Sequence, residues 1–308
     1  MDSPNRPSLL LQAAEAAAGT QQYPASTLYV VATPIGNLAD MSLRAIHVLA
    51  RADAVACEDT RHSSPLLRHL GLDKPLIPLH EHNEREAAAG VLARLAAGER
   101  VAYVSDAGTP AVSDPGAALV AACQAAGYRT VPVPGASSAL AAVCVAGDTV
   151  GRGFTFIGFL PPKGNERALA FKAAAARSDT QVLFEAPHRI DSLLAGLAEA
   201  CPDRKLTLCR ELTKQFETVV TVSAGEAPAW LAADPNRSRG EFVLVLHGLA
   251  PQAADDGATA HDAVLRTLMA ALPLKQAVSL AAELTAAPRN ALYARALALK
   301  QDGQGEGG

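Results

Sequence analysis

Between residues 27 and 135 the apolar and polar positions alternate between two rhythms. Short, nearly continuous apolar runs read as buried strands: TLYVVAT (27–33), ADAVACE (52–58), PLIPLH (75–80), VAYVSD (101–106) and YRTVPVPG (128–135). Stretches with helical spacing lie between them at 42–51, 64–71, 83–99 and 116–127, the second stopped by Gly71 and the third opened by Asn83. Strands and helices trading places at this pace predict βα units on a parallel sheet. After the small-residue stretch GDTVGRG (147–153) the texture changes. FTFIGFL, TQVLFEA, KLTLCREL, ETVVTVSAG and GEFVLVLHG are strand candidates, with helices near 165–177 and 188–200, which predicts a second α/β domain on a mixed sheet.

The ends differ. Residues 1–25 show no sustained periodicity and are expected to be a flexible leader, followed by α/β domains at 26–148 and 149–248. LAPQAADDGATAH (249–261) is an expected linker. Three short helical stretches at 262–300 form an expected helix-turn-helix-like module, and 301–308 an expected disordered tail.

Composition narrows the picture. Hydrophobic residues make up 49% of the 308 positions, which excludes global disorder, while aromatics are only 4%, so Ala, Val and Leu must fill the core. Lys and Arg number 27 against 31 Asp and Glu, a net charge of −4 that excludes a globally basic nucleic-acid coat and leaves room for local basic patches. The five cysteines form no CxxC pair, so neither a disulfide framework nor a zinc site is indicated and no metal is expected. Gln12, Glu15 and Asp2 spoil a signal peptide, and no apolar stretch reaches bilayer length. A soluble, cytoplasmic protein is expected.

In an open parallel sheet, ligands bind beyond the carboxyl ends of the strands. Three loops there are rich in small residues: TPIGNLADMS (33–42), SDAGTPAVSDPG (105–116) and VPGASSAL (133–140). Gly36 permits a tight turn, and Asn37, Asp40 and Ser42 can cap the next helix. Ser113 or Asp114 can cap the helix after the second loop, but a cap needs one such residue, so the density of Gly, Pro, Asp and Ser favours a ligand loop. Neither GxGxxG nor a GK[ST] follows any strand, which weighs against a dinucleotide or nucleoside-triphosphate site.

VATPIGNLADMSLRA, CEDTR (57–61), SDAGTPAVSDPG and PGASSA resemble the ribosomal RNA small subunit methyltransferase I family, within the tetrapyrrole (corrin/porphyrin) methylase superfamily. PPKGNER (161–167), FEAPHR (184–189), CRELTK (209–214), RGEFVLVLHG (239–248) and the helices beyond 262 extend the resemblance to about residue 300. It implies two α/β domains of the tetrapyrrole-methylase type, with an S-adenosyl-L-methionine cleft between them, plus a small C-terminal helical module. It also implies a homodimer that methylates the 2′-hydroxyl of a cytidine in the decoding centre of 16S rRNA, within small ribosomal subunits. By the same resemblance the cofactor meets Pro34, Asp106, Ala107, Gly108, Thr109, Val112, Ser137, Ser138, Ala186, Gly240 and Glu241, with Pro34 on the acceptor side. Superfamily members acting on tetrapyrroles carry a GxGxG-like first loop and a GGDP-like second loop. Here those positions read ATPIG and AGTP, which argues against a tetrapyrrole. A tetrapyrrole C-methyltransferase and a non-catalytic ribosome-binding factor remain the rival readings.

A ribose hydroxyl is a poor nucleophile until its proton is accepted, so a base is sought near the cleft. Lys163, Glu185, His188, Glu211 and Lys214 are candidates, as are Glu58 and Asp59 beside Arg61 after the second strand. Each has a bland alternative: Glu185 and Glu211 can pair with Arg189 or Arg210, His188 can cap a helix, and Lys163 can contact phosphate. With an acidic total, RNA contact must be local. The expected contacts are Arg61, Lys163, Arg167, Arg189, Lys214, Lys275 and Arg289, the last two in the C-terminal module, where Arg295 and Lys300 add charge.

Overall fold

Five strands, β1 (Thr27–Val31), β2 (Ala54–Cys57), β3 (Leu76–Pro78), β4 (Arg100–Val104) and β5 (Arg129–Val133), form a wholly parallel sheet in the order β3-β2-β4-β1-β5. Every residue of β2 is buried, as a strand covered by helices on both faces requires. One face packs on Ala45, Ile46, Val48 and Leu49 of helix α2 (Leu43–Arg51), and Leu67 of α3 (Thr60–His69) joins the same core. The other face packs on Val91 and Leu95 of α4 (Glu84–Ala96) and on Leu119 and Cys123 of α5 (Ala117–Ala125). The computed structural model describes residues 9–80, 83–113, 115–250 and 261–302. Among them, no helix is long and apolar enough to cross a membrane.

β6 (Phe154–Phe159), β7 (Thr180–Glu185), β8 (Lys205–Arg210), β9 (Thr218–Ser223) and β10 (Phe242–Leu246) form a second sheet, ordered β6-β7-β10-β8-β9. Only the β6–β7 pair is parallel, so the sheet is mixed as expected. Its outer face buries Leu193, Leu194 and Leu197 of α8 (Ile190–Ala200) with Ala174 of α7 (Gly164–Ala176) and Leu231 of α9 (Ala227–Ala232). Its inner face packs on Ala139, Ala142 and Ala146 of α6 (Ser138–Ala146), together with Ile35 from the loop after β1. These shared contacts draw both sheets into one compact unit that ends at His247.

The leader is partly ordered. Residues Leu9–Ala18 form a helix, α1, because Ala14 and Ala18 bury against the α2 side of the first core and Glu15 Oε2 reaches His47 Nδ1 at 3.1 Å. The expected linker lies mostly outside the described residues. The second unit, 248–308, contains α10 (Asp262–Ala271), α11 (Leu274–Thr285) and α12 (Arg289–Asp302), packed on a core of its own around Leu265, Val278, Ala281, Leu292 and Ala296. α12 continues to Asp302, two residues into the expected tail, whose remainder lies outside the described residues.

One ion pair fastens β6 to β7 and makes the fold acid-sensitive. The Asp179 carboxylate accepts from Arg177 Nε at 2.9 Å and Nη2 at 2.7 Å, and from the Thr155 hydroxyl. Those hydrogen bonds, Arg177's foremost, hold its carboxyl at about 2. The folded value lies below the unfolded one of about 3.9, so this stabilisation is complete above about pH 5 and is lost as pH falls through the folded value. Asp179→Asn is expected to flatten the acid-side decline in urea stability between about pH 4 and 2. An unchanged decline would assign it to other carboxylates.

Candidate active site

Adjacent strands β1 and β4 send their chains in opposite directions, β1 towards β2 and β4 towards β5, which makes a crevice at their carboxyl ends. The loops that leave them are stitched together. Thr33 N–H donates to Gly108 O at 2.9 Å and Gly108 N–H to Thr33 O at 3.0 Å. Thr109 Oγ1 donates to Ala136 O at 3.0 Å, which ties in the loop after β5. Gly108 has φ +81°, and a Cβ there would lie 3.3 Å from Ile35 Cγ2. Its polar backbone atoms are spent on Thr33, so its contribution to a ligand is shape.

The turns begin helices by different devices. Asn37 and Ser42 accept backbone N–H groups as expected, at Ala39 and Ala45, and Ser137 caps α6 through Leu140 N–H. The helix after the second loop departs from expectation. Gly116 is its N-cap, and Gly116 N–H donates to Glu84 Oε1 across the fold at 3.0 Å. Ser113 instead sits at φ +66°, while Asp114 lies outside the described residues.

Two cavities flank the stitched loops. The first, of about 350 Å³, lies between the sheets and is lined by Ile35, Ala107, Ser113 and Ser138 from one side, and by Phe159, Phe184 to Pro187, Cys209, Leu212 and Glu241 to Val243 from the other. The second, of about 310 Å³, is lined by Thr33, Pro34, Gly36, Leu38, Ser105 and Asp106, with His62, Ser63, Pro65, Leu66 and His69 from α3.

Glu185 anchors the first cavity's far wall. Its side chain is fully buried, with Arg189 Nε 3.0 Å from Oε1 and Arg167 Nη2 3.4 Å from Oε2. The same two guanidiniums hold the next loop, Arg189 donating to Leu160 O at 2.7 Å and Arg167 to Pro161 O at 2.9 Å. Lys163, exposed at the N-cap of α7, rides on that loop. Arg167 and Arg189, expected to face RNA, act in the structure as struts: Arg167 is buried, and both pair with Glu185 and with backbone carbonyls. Glu185 itself is a paired anchor rather than an available base.

A second anchor closes the rim. Lys214 Nζ lies 3.0 Å from Glu211 Oε1 and 2.8 Å from Glu241 Oε2, so its ammonium is spent within the site instead of being offered to phosphate. Burial pulls Lys214 down, but its bonds to both glutamates more than offset this and raise it overall. Glu211 also accepts Glu241 N–H at 2.9 Å, and although burial pushes it up, its hydrogen bonds to Glu241 N–H and Lys214 leave it below the usual carboxylate range. Gly240, at φ +92°, lets this turn close, because a Cβ would meet Glu211 Cγ at 2.5 Å.

Of the residues expected around a cofactor, Ala107, Ser138, Ala186 and Glu241 line the first cavity. Gly108, Thr109, Ser137 and Gly240 shape its turns, and Val112 is partly exposed on the second loop. Pro34 and Asp106 line the second cavity instead. There the Asp106 carboxylate is engaged by Asp59 N–H at 3.1 Å and His62 Nδ1 at 2.9 Å. Asp59 caps α3 and binds Arg61, whose hydrogen bonds hold the Asp59 carboxyl at about 2. Arg61 is largely exposed, His188 is exposed, and Glu58 is half-buried at the end of β2. Asp59, His62 and Asp106 each bring one ligand atom within 4.8 Å of the others, but both Asp59 oxygens already accept from Arg61. In the C-terminal unit Lys275 and Arg289 are exposed, whereas Arg295 is a fastener, bonded to Asp262 at 2.6 and 2.7 Å.

Sequence reasoning missed His62, two residues past CEDTR's Thr60, and the aromatic wall of Phe159 and Phe184. His62 adjoins a motif already singled out, so proximity to it was the available signal.

The fold and cleft correspond to a known class. Residues 27–228 match the family model of tetrapyrrole (corrin/porphyrin) methylases, and residues 254–300 match the RsmI C-terminal HTH domain. Among solved structures, cobalt precorrin-4 methyltransferase is similar with a TM-score of 0.54 at 17% identity, over 71% of this chain and 94% of that one. Uroporphyrin-III C-methyltransferase from Thermus thermophilus, complexed with S-adenosyl homocysteine, gives 0.51 at 18% identity, over 72% and 97%. The chain thus has the fold of the tetrapyrrole methylases, a class of methyltransferases.

Sequence relatives define the branch. The chain is 47% identical to ribosomal RNA small subunit methyltransferase I of Neisseria meningitidis serogroup A, over 89% of this chain and 94% of that protein. It is 46% identical to the proteins of that name from Pseudomonas aeruginosa, over 89% and 97%, and Escherichia coli O157:H7, over 88% and 94%. The chain belongs to the ribosomal RNA small subunit methyltransferase I family.

Proposed function

We propose that the chain transfers a methyl group from S-adenosyl-L-methionine to the 2′-hydroxyl of a cytidine in the decoding centre of 16S rRNA. Family membership carries the coarse reading, a methyltransferase of small-subunit rRNA. The cleft supports the donor part of the reading. A cavity of about 350 Å³ falls within the usual range for small-molecule sites, and its mix of apolar wall and small-residue turns fits a nucleoside-bearing amino acid. Ala107, Ser138, Ala186 and Glu241 line the proposed donor site, with Gly108, Thr109, Ser137 and Gly240 setting its outline. When bound, the donor supplies a methyl already made electrophilic by its sulfonium. The residues' work is then alignment and exclusion of water. Glu185, through Arg167 and Arg189, fixes the loop bearing Lys163 at the mouth of the same wall.

Lys163, Arg61, Lys275 and Arg289 are the exposed cations proposed for RNA contact, in cytoplasmic small subunits and with the enzyme as a homodimer. Lys163→Ala is expected to lower the rate on small subunits, by weakening contact to the RNA backbone, while donor affinity by calorimetry stays unchanged. Full activity would remove Lys163 from the RNA path. The reading as a whole is tested by transfer of labelled methyl to purified small subunits, a porphyrinoid serving as the competing acceptor. Label on the porphyrinoid alone would favour the tetrapyrrole branch.

A further inference from the structure

The second cavity contains a pair of side chains that the proposed cofactor site does not use. His62 projects from the first turns of α3, and its Nδ1 lies 2.9 Å from Asp106 Oδ2. The other Asp106 oxygen accepts Asp59 N–H at 3.1 Å, so the carboxylate is fixed at both ends. A carboxylate at Nδ1 selects the tautomer with its proton there and leaves the Nε2 lone pair available. Carboxylates orient imidazole bases in this way on unrelated folds. The ring is 66% exposed and helps line a cavity of about 310 Å³.

The two cavities share the loops after β1 and β4. Successive residues divide between them: Ile35 and Ala107 line the first, Pro34 and Asp106 the second. The two cavities therefore lie against the same pair of loops, one on either side. Of the other carboxylates considered as bases, Glu185 is committed to two guanidiniums, Glu211 to Lys214 and Glu241 N–H, and Asp59 to Arg61.

We propose that the second cavity admits the acceptor nucleoside, that His62 is the general base and that Asp106 is its positioning residue. The inference rests on the ribose-methylation reading. As the O2′–H bond breaks, His62 Nε2 takes the proton, the oxygen lone pair forms the new O–C bond to the methyl, and the C–S bonding pair returns to sulfur. Among the described residues, the charged and titratable groups facing the imidazole are Asp106 and Asp59, the latter at 3.9 Å and carrying Arg61, with His69 on the same cavity wall.

The test uses the full chain, labelled donor and small subunits. An inactive wild-type protein would overturn the methylation reading itself. With active wild type, His62→Ala is expected to lose on the order of 10²-fold in kcat, the low end of what a positioned base supplies. Donor affinity by calorimetry should not change, and added imidazole should restore part of the rate. Wild-type rate should fall on the acid side as the imidazole takes up a proton, a limb that His62→Ala lacks. Asp106→Asn should move that limb to lower pH, and 15N NMR of the histidines should show its Nδ1–H tautomer no longer favoured. Wild-type kcat with the acid limb intact in His62→Ala would overturn the assignment. So would activity abolished by chelation and restored by a divalent cation, which would give Asp59, His62 and Asp106 to a metal.

Discussion

Gly108→Val is expected to weaken donor binding by about tenfold to a hundredfold. The residue sits at φ +81°, where an L side chain is strained by about 1–3 kcal/mol, and each 1.4 kcal/mol is about tenfold in affinity. Space adds to strain. A Cβ at this position already stands 3.3 Å from Ile35 Cγ2, and valine's extra methyls would press on a residue that lines the first cavity. The loop cannot swing clear, because Gly108 exchanges both backbone hydrogen bonds with Thr33. Gly108→Asn, which tolerates left-handed backbone, should lose less. Calorimetry giving wild-type affinity for Gly108→Val would remove this loop from the donor site.

Glu185→Ala is expected to cost about 3–5 kcal/mol of stability in denaturant unfolding, because it strips the shared anion from two guanidiniums. The Glu185 side chain has no exposure, and those of Arg167 and Arg189 have only 9% and 22%, so water cannot replace the lost charge cheaply. The damage should reach function through the loop at 160–164, whose carbonyls both arginines hold. A loss below about 1 kcal/mol would place the pair among weakly coupled surface bridges. Glu185→Gln keeps the volume and an acceptor, so it should retain more stability than the alanine. If instead the glutamine variant folds as wild type but loses turnover, Glu185 acts chemically and the anchor account fails.

Much of this arrangement was legible in the chain. The parallel sheet announced itself because its strands are buried on both faces, as AVAC in β2 illustrates. The three small-residue loops stood out because close backbone approach excludes large side chains, and they do converge on one crevice. Helix α1 was illegible for the opposite reason: LLLQAAEAAA carries no sustained stripe, and its order comes from tertiary contacts of Ala14 and Ala18 and from Glu15 with His47. The extent of α6 was equally obscure, since SALAAVCVA is apolar on nearly every face.

Charge was the hardest to read. Glu185 and Arg189 are four apart, and their pairing was among the alternatives considered. Arg167 is 18 residues away, and only the fold brings it to the same carboxylate. His62 and Asp106 are 44 residues apart and meet because β2 and β4 are neighbours in the sheet. A basic residue such as Arg167, exposed by its position in the chain, is thus buried and paired in three dimensions.

Ribose methylation of one cytidine in small-subunit rRNA leaves a mark that can be mapped as 2′-O-methyl groups on 16S rRNA from cells with and without this gene. A single decoding-centre cytidine is expected to carry the mark with the gene and lack it without, and to regain it when purified protein and S-adenosyl-L-methionine are added to the unmarked subunits. An identical ribose-methylation map in both cells would contradict it.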